Sequence, residues 1–400
     1  MPKAPILYLV HRIPYPPNKG DKVRSFNILK VLAEHYEVHL GTFVDLEEDW
    51  QHVGKLDQWC ASVKAIGLSP KRARLASLRG LATGEALSLP YYRSAAMQDW
   101  VDEVAAGHRI EQVVVFSGVM AQYVDRTRFK NVFVDFCDVD SAKWTQYAQS
   151  RTWPMSWLYR REGRLLGEFE RTAARAANDV SFVTAAECDL FLTSAPELRS
   201  RALAVENGVD TEFFSPTHGG TSPFSGEGPQ LVMTGAMDYW PNIDGACWFA
   251  QDVMPMVRAR FPDAAFTIVG MNPAPAVEAL KKLPGVHVTG RVPDVRPYLH
   301  HADVVIAPLR IARGIQNKVL EAMAMGRPVV VSSASATGLR GQAGTTHEVA
   351  EQAKDYVDAI ERCLAAHDMG YQARALVIES YGWQAHLSAI LQRLTEGARS

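Results

Sequence analysis

The chain has 400 residues, 47% hydrophobic and 22% charged, with a formal net charge of -2. That length exceeds what one core organises and predicts two domains, and the near-neutral balance excludes a general nucleic-acid binder. No run approaches the ~18 apolar residues of a membrane span. Cys60, Cys137, Cys188, Cys247 and Cys363 are scattered, odd in number and without metal-ligand spacing. They read as reduced thiols of a cytoplasmic protein, with any membrane association peripheral on the inner face of the plasma membrane.

The first apolar run, 6–10, is too short for a signal peptide and predicts a buried strand. Pro16-Pro17-Asn18-Lys19-Gly20-Asp21-Lys22-Val23-Arg24 follows it and opens a predicted helix at 22–34. A glycine there lets backbone N–H groups approach a phosphate, so Gly20 and Arg24 are candidates for a diphosphate clamp. The other reading is a proline-rich turn with solvated charges. Further strands are predicted at 37–43, 62–66, 112–116, 132–134, 180–183 and 202–205, and a second helix at 159–177. Between them, 69–81 interleaves Lys71, Arg72, Arg74 and Arg79 with Leu75, Leu78 and Leu81. Such a basic amphipathic segment suits an anionic lipid surface or a solvated helix face. The 153–161 segment mixes aromatics with arginine in the same way. After the fifth strand, Asp138, Asp140 and Lys143 suit an acceptor-orienting cluster, or a helix cap built on Asp140 or Ser141.

A Gly/Pro/Ser-rich stretch at 216–229 predicts a linker. The alternation then restarts, with strands at 231–234, 265–269, 286–288, 304–307 and 329–331 and helices at 244–260, 274–283, 315–325 and 349–366. Helical spacing at 383–394 predicts a C-terminal helix packed back on the first domain. The expected organisation is a first domain at 1–210, a linker at 211–229, a second domain at 230–380 and a C-terminal helix within 381–400. The fold class is α/β, with two doubly wound, Rossmann-like domains facing a cleft.

The pattern around 304–331 reads strand, glycine-containing loop, helix, tight turn, strand. A loop that opens a helix at the carboxyl end of a parallel strand is an anion site. Lys318 and Glu321 share one face of that helix. A lysine for phosphate and a carboxylate for ribose hydroxyls suit a nucleoside diphosphate; a weak surface Lys–Glu pair is the plainer alternative.

Several blocks resemble one family in the right order. Val205-Glu206-Asn207-Gly208-Val209-Asp210 resembles the V-x-N-G-V-D signature at the domain junction of the family-four retaining glycosyltransferases. Thr234-Gly235 resembles their first C-terminal βα turn. Val288-Thr289-Gly290-Arg291-Val292 resembles their base-binding loop, and 302–308 the strand before the donor loop. Glu321-Ala322-Met323-Ala324-Met325-Gly326-Arg327-Pro328-Val329-Val330 resembles their E-A-M-A-x-G-x-P-V-V block. Passages at 133–144, 234–242 and 313–318 are similar to a subgroup tied to bacterial exopolysaccharide loci of the PEP-CTERM/exosortase type.

The resemblance implies the B-type glycosyltransferase fold and transfer with retention, without a catalytic metal or a cofactor beyond the nucleotide-diphosphate-sugar co-substrate. It places the donor mainly on the C-terminal domain and a glycan or lipid-linked acceptor on the N-terminal one. Lys318, with Asn317, would neutralise the leaving diphosphate, and Glu321 would bind the ribose. Gly314, Ile315 and Gln316 would offer backbone groups to the sugar, and Gly290, Arg291 and Val292 would meet the nucleobase. Asp138 and Arg313 join Lys318 as candidate catalytic residues. Arg313 stands where the family carries the first of two glutamates eight positions apart. Ala236-Met237-Asp238-Tyr239-Trp240 replaces the usual Arg and Lys of the first turn, and Cys137 falls about where an N-terminal histidine is common. A nucleotide-sugar 2-epimerase of the same fold and a non-catalytic nucleotide-sugar-binding subunit remain open as alternatives.

Overall fold

A computed structural model of the chain describes residues 3–17, 19–149, 151–312 and 315–397; Arg313 and Gly314 lie outside them. The chain forms two compact units, Met1–Glu206 with His386–Ser400, and Asn207–Ala385.

The first unit is built on a seven-stranded parallel sheet. In chain order its strands are β1 (Ala4–Val10), β2 (Tyr36–Val44), β3 (Ser62–Gly67), β4 (Gln112–Phe116), β5 (Asn131–Cys137), β6 (Asp179–Phe182) and β7 (Ala202–Ala204). Their spatial order is β3-β2-β1-β4-β5-β6-β7. The runs are continuously apolar because helices cover both faces of the sheet. Ile6 to Val10 of β1 are fully buried.

The second unit carries a six-stranded parallel sheet: β8 (Gln230–Thr234), β9 (Ala265–Val269), β10 (Val286–Gly290), β11 (Val304–Ala307), β12 (Val329–Val331) and β13 (Glu348–Val349). Its order is β10-β9-β8-β11-β12-β13. In each unit the order reverses beside the first strand, between β1 and β4 and between β8 and β11. Those reversals open a crevice at the carboxyl ends of the strands.

Three local differences from the sequence reading have physical causes. The helix expected at 244–260 starts earlier, at Trp240, with Pro241 in its first turn where a missing N–H is harmless. It continues through a π turn at Phe249–Val253 into Met254–Arg260, so the helix absorbs Pro255 without ending. Residues Glu348 and Val349, expected in a helix or just before it, form the edge strand β13 beside β12. The helix starts at Ala353, where the Asp355 carboxylate accepts from the Gln352 backbone N–H at 2.9 Å.

The chain passes from one unit to the other at Glu206/Asn207, inside the V-x-N-G-V-D motif. Residues 207–229 belong with the second unit: Val209 N–H donates to Tyr381 O at 2.8 Å, and the His301 ring meets Gly220 O at 3.0 Å. The last helix, Trp383–Gly397, begins in the second unit and from His386 onward belongs to the first. There Asn131 Nδ2 donates to Leu394 O at 2.9 Å, and Arg393 reaches Asp179 at 3.4 Å. Among the described residues no helix is long and apolar enough to cross a membrane.

The helix Gly20–His35 is anchored by charge. Lys22 Nζ donates to Asp49 at 2.7 Å, and Arg24 Nε to Asp135 of β5 at 2.8 Å, all four groups being buried. Removing one member of such a pair strands the other charge, at a cost of about 3–5 kcal/mol. Arg24→Met is therefore expected to destabilise the first unit by about that amount. Arg24→Met with Asp135→Leu should recover a large part of it. Urea denaturation, followed by a probe in the first unit, measures both.

Candidate functional site

The second unit gathers its candidate residues at the reversal between β8 and β11. Gly235 follows β8, and the helix Asn317–Ala324 follows β11 and its loop. Lys318 Nζ donates to Asn242 Oδ1, and Asn242 Nδ2 donates to Ala236 O at 2.8 Å. Asn242 thus fixes the lysine against the first turn, a role that sequence reading did not assign to it. Gly235 has φ +151°, and a Cβ there would lie 3.1 Å from Lys318 Nζ and 2.8 Å from Asn242 Nδ2. At Gly270, which follows β9, a Cβ would run into Gly235 O. Only glycine fits this backbone contact. Gly270 N–H donates to Gly290 O at 3.2 Å, so the turns after β8, β9 and β10 adjoin.

Electrostatics mark this cluster. Burial lowers Lys318 to about 8, against the attraction of Glu321. Burial likewise raises Glu321 to about 7, against the attraction of Lys318. Two further polar atoms, Thr234 Oγ1 at the end of β8 and Asn317 Oδ1, are buried without a hydrogen-bond partner among the described residues. Gln316 precedes the helix, and its carbonyl accepts from Val319 N–H at 2.9 Å. Ile315 is half-buried, Gly290 ends β10, Arg291 is exposed and Val292 is half-buried.

In the first unit, Arg24 requires a correction. It is fully buried, its guanidinium spans both Asp135 oxygens, and Nη1 donates to Val205 O at 2.7 Å. A cation so engaged is a structural tie rather than a diphosphate ligand. Gly20 opens its helix, and open space surrounds the position that a Cβ would take there.

Lys143 donates to Asp138 at 2.8 Å and to Asp140 at 3.0 Å. Burial works against its charge, but the two carboxylates outweigh it and hold Lys143 above the usual lysine range. Asp140 begins the helix Asp140–Gln149. Cys137 adopts φ +65° at a bulge ending β5, and burial pushes its thiol far up, which leaves no nucleophilic thiolate.

A cavity of about 470 Å³ lies at this unit's own reversal, lined by His11 after β1, Ser117 after β4, and Asp140 and Trp144 beyond β5, with Tyr92 and Glu162. Ser117 has φ +73°, a strained backbone at a strand's carboxyl end. The His11 ring stacks on Phe116, and its Nε2 lies 3.5 Å from Asp21. Sequence reading missed His11, although its place directly after the first strand is the signal that marks it. Glu162 is spoken for, accepting from Leu87 N–H, Ser88 N–H and the Ser88 hydroxyl. Glu170 accepts from Ser141, and burial raises it to about 7. A cavity of about 640 Å³ in the second unit is lined by residues such as Phe224, Arg258 and His287 and by none of the donor candidates.

The comparisons agree with this architecture. Residues 228–366 match the family model described as Glycosyl transferases group 1. A phosphatidyl-myo-inositol mannosyltransferase of Propionibacterium freudenreichii is 27% identical over 135 residues, covering 32% of this chain and 34% of that protein. The chain thus aligns with about a third of its curated relative's length. Among solved structures, sucrose-phosphate synthase from Thermosynechococcus elongatus has a TM-score of 0.65 at 16% identity, covering 100% of both chains. Anabaena HepE in complex with UDP-glucose also has a TM-score of 0.65 at 16% identity, covering 98% of this chain and 99% of that one. The chain has the B-type glycosyltransferase fold of two Rossmann-like domains, and 228–366 is the part of it that matches the group 1 model.

Proposed function

We propose that the chain is a retaining, metal-independent glycosyltransferase that moves a sugar from a nucleotide-diphosphate-sugar to an acceptor in bacterial exopolysaccharide or lipid-linked glycan synthesis. The observation that carries this reading is the convergence of Lys318, Asn242, Gly235 and Glu321 at the strand-order reversal of the second unit. Lys318 neutralises the charge that builds on the diphosphate as the glycosidic bond breaks. It thereby stabilises the transition state more than the ground state. Glu321 accepts from the ribose hydroxyls, and the adjoining turn at 290–292 meets the base. The Anabaena relative's complex with UDP-glucose supports a nucleotide-sugar donor. Ile315 and Gln316 serve the donor sugar; the parts of Arg313 and Gly314 rest on the motif alone.

The acceptor enters the cavity of the first unit. Aromatic walls such as Trp144 and Tyr92 suit the apolar faces of a sugar. Asp140, held by Lys143, and His11 are among the polar groups that line the cavity and could meet an acceptor hydroxyl.

A membrane-facing role is supported by two adjoining segments. The helices Pro70–Ser77 and Arg79–Thr83 expose Leu75 and Leu81, with Leu78 between them, among basic residues, and Trp153, Met155 and Trp157 are exposed beside Arg160. Arg161 joins the two by donating to Gly80 O and Glu85 O. Flotation with vesicles containing acidic lipid should carry the protein up, and neutral vesicles should not. Leu75→Ser with Trp157→Ser should abolish flotation; equal recovery with both vesicle types would remove this part of the reading.

The donor site is tested by thermal stabilisation across uridine, guanosine, thymidine and cytidine diphosphate sugars. Ligand at 100 times Kd adds about 2.7 kcal/mol to stability. One nucleotide class should stabilise the parent and fail with Lys318→Ala, and turnover in the variant should fall about 10²–10³-fold. Stabilisation without transfer to any acceptor would instead favour a non-catalytic binding subunit.

A pH window follows from the two shifts. Lys318 is charged below about 8, and Glu321 is charged above about 7. Affinity for the nucleoside diphosphate should be greatest between those values. It should weaken above, as the ammonium is lost, and below, as the carboxylate protonates. Calorimetric titration in matched buffers reads both limbs, and Lys318→Ala should erase the alkaline one.

A further inference from the structure

We propose that Glu37, His39 and His108 form a binding site for one Zn²⁺ ion, or a similar divalent transition metal, at the end of the first unit's sheet opposite its cavity. Glu37 and His39 lie two residues apart near the start of β2, so their side chains leave the same face of the strand. His108 closes the helix Ala95–Gly107, which packs over that region. The ligand atoms of all three side chains lie within 4.8 Å of one another. His39 Nε2 is 3.6 Å from Glu37 Oε1, and the two imidazole rings are 4.3 Å apart.

These spacings suit a metal better than direct contact. Nitrogen and oxygen bind zinc at about 2.0–2.2 Å, which sets tetrahedral neighbours about 3.4 Å apart. The His39–Glu37 distance is close to that value, and it is too long for a hydrogen bond. The other two side chains are exposed and can close the remaining gap by small rotations.

His39 supplies the independent observation. It is 1% exposed, yet its Nε2 has no hydrogen-bond partner among the described residues. Its other nitrogen, Nδ1, lies 2.8 Å from Ser62 Oγ. With Nδ1–H donating to that hydroxyl, the lone pair of Nε2 points toward Glu37 and His108. An outer partner on the second ring nitrogen is the usual way a metal-binding histidine is oriented. Two histidines and one carboxylate leave a fourth position for water, and the set matches zinc's preferred donors.

The site lies near the amino ends of the strands, whereas His11, Ser117 and Cys137 follow or end strands at their carboxyl side. It therefore stands apart from the proposed transfer chemistry, and its failure would leave that reading intact. Its role would be to clamp β2 to the end of the helix Ala95–Gly107.

The test uses the full chain, treated with chelator and dialysed. Zn²⁺ titrated by calorimetry should bind with one equivalent and raise Tm, and Co²⁺ should give the visible absorption of a low-symmetry site. His108→Ala and Glu37→Gln alter exposed groups, and their fold is checked by circular dichroism. Each should weaken Zn²⁺ binding by at least the roughly 10–100-fold that losing even an outer-shell partner costs. His39→Ala is secondary, because its burial endangers folding. No saturable single-equivalent binding, or an affinity unchanged in both His108→Ala and Glu37→Gln, overturns the proposal; the second result would place the metal on other histidines among the twelve.

Discussion

Asp135 is a carboxylate in the middle of a parallel sheet with no exposure to water, and the first unit is arranged around satisfying it. An unpaired charge there would be untenable, so it must be both neutralised and hydrogen-bonded. Arg24 neutralises it from the first helix with a two-pronged contact, which matches guanidinium geometry and could not be reproduced by lysine. Arg24 Nη1 donates to Val205 O, just before the chain leaves the unit. Asp135 also accepts from Cys137 N–H at 3.0 Å, which helps hold the bulge that ends β5. Its backbone carbonyl accepts from Ser117 N–H at 2.8 Å. Through Arg24 and its own contacts, one buried residue therefore ties together the first helix, the segment just after β7 and two strained turns at the carboxyl ends of β4 and β5. Strain at Ser117 and Cys137 persists because the layer beneath over-determines it.

This explains which parts of the chain could be read locally. Strands of a doubly wound sheet are buried on both faces, so runs such as 7–10 or Val304–Ala307 announce themselves as continuous apolar stretches. The motifs that punctuate them, from the junction at Val205 to the block after Glu321, lie where turns and helix starts must fall. Polar contacts between distant segments are different. Lys22 and Arg24 look like solvent-facing charges in any short window, because their partners Asp49 and Asp135 lie 27 and 111 residues away. Asn242 is separated from Lys318 by 76 residues, and nothing in its own turn marks it as the lysine's anchor. The two-residue strand β13 is visible only from its neighbour β12, and the π turn before Pro255 hides a break that the helical pattern alone would not contain.

The first turn of the second unit lacks the Arg and Lys expected there from the family resemblance, and under the proposed function a single lysine serves in their place. A flexible lysine loses much of its value in ordering its own side chain. Here that ordering is complete before any ligand arrives, because Asn242 grips Nζ and the missing side chain of Gly235 leaves room for it. The desolvation that lowers Lys318 and raises Glu321 is likewise borne by the folded protein, and their mutual attraction offsets it only in part. Thr234 Oγ1 and Asn317 Oδ1 add two more polar atoms taken from water in advance. In the proposed donor site, the charges of a nucleotide would meet a lysine already held by Asn242 and polar groups already partly withdrawn from solvent. Little reorganisation would then remain for the moment of reaction, which is the condition under which a fixed cation contributes most to catalysis. The perturbed pair and the unsatisfied atoms are thus a local cost in stability that fits a binding function better than a structural one.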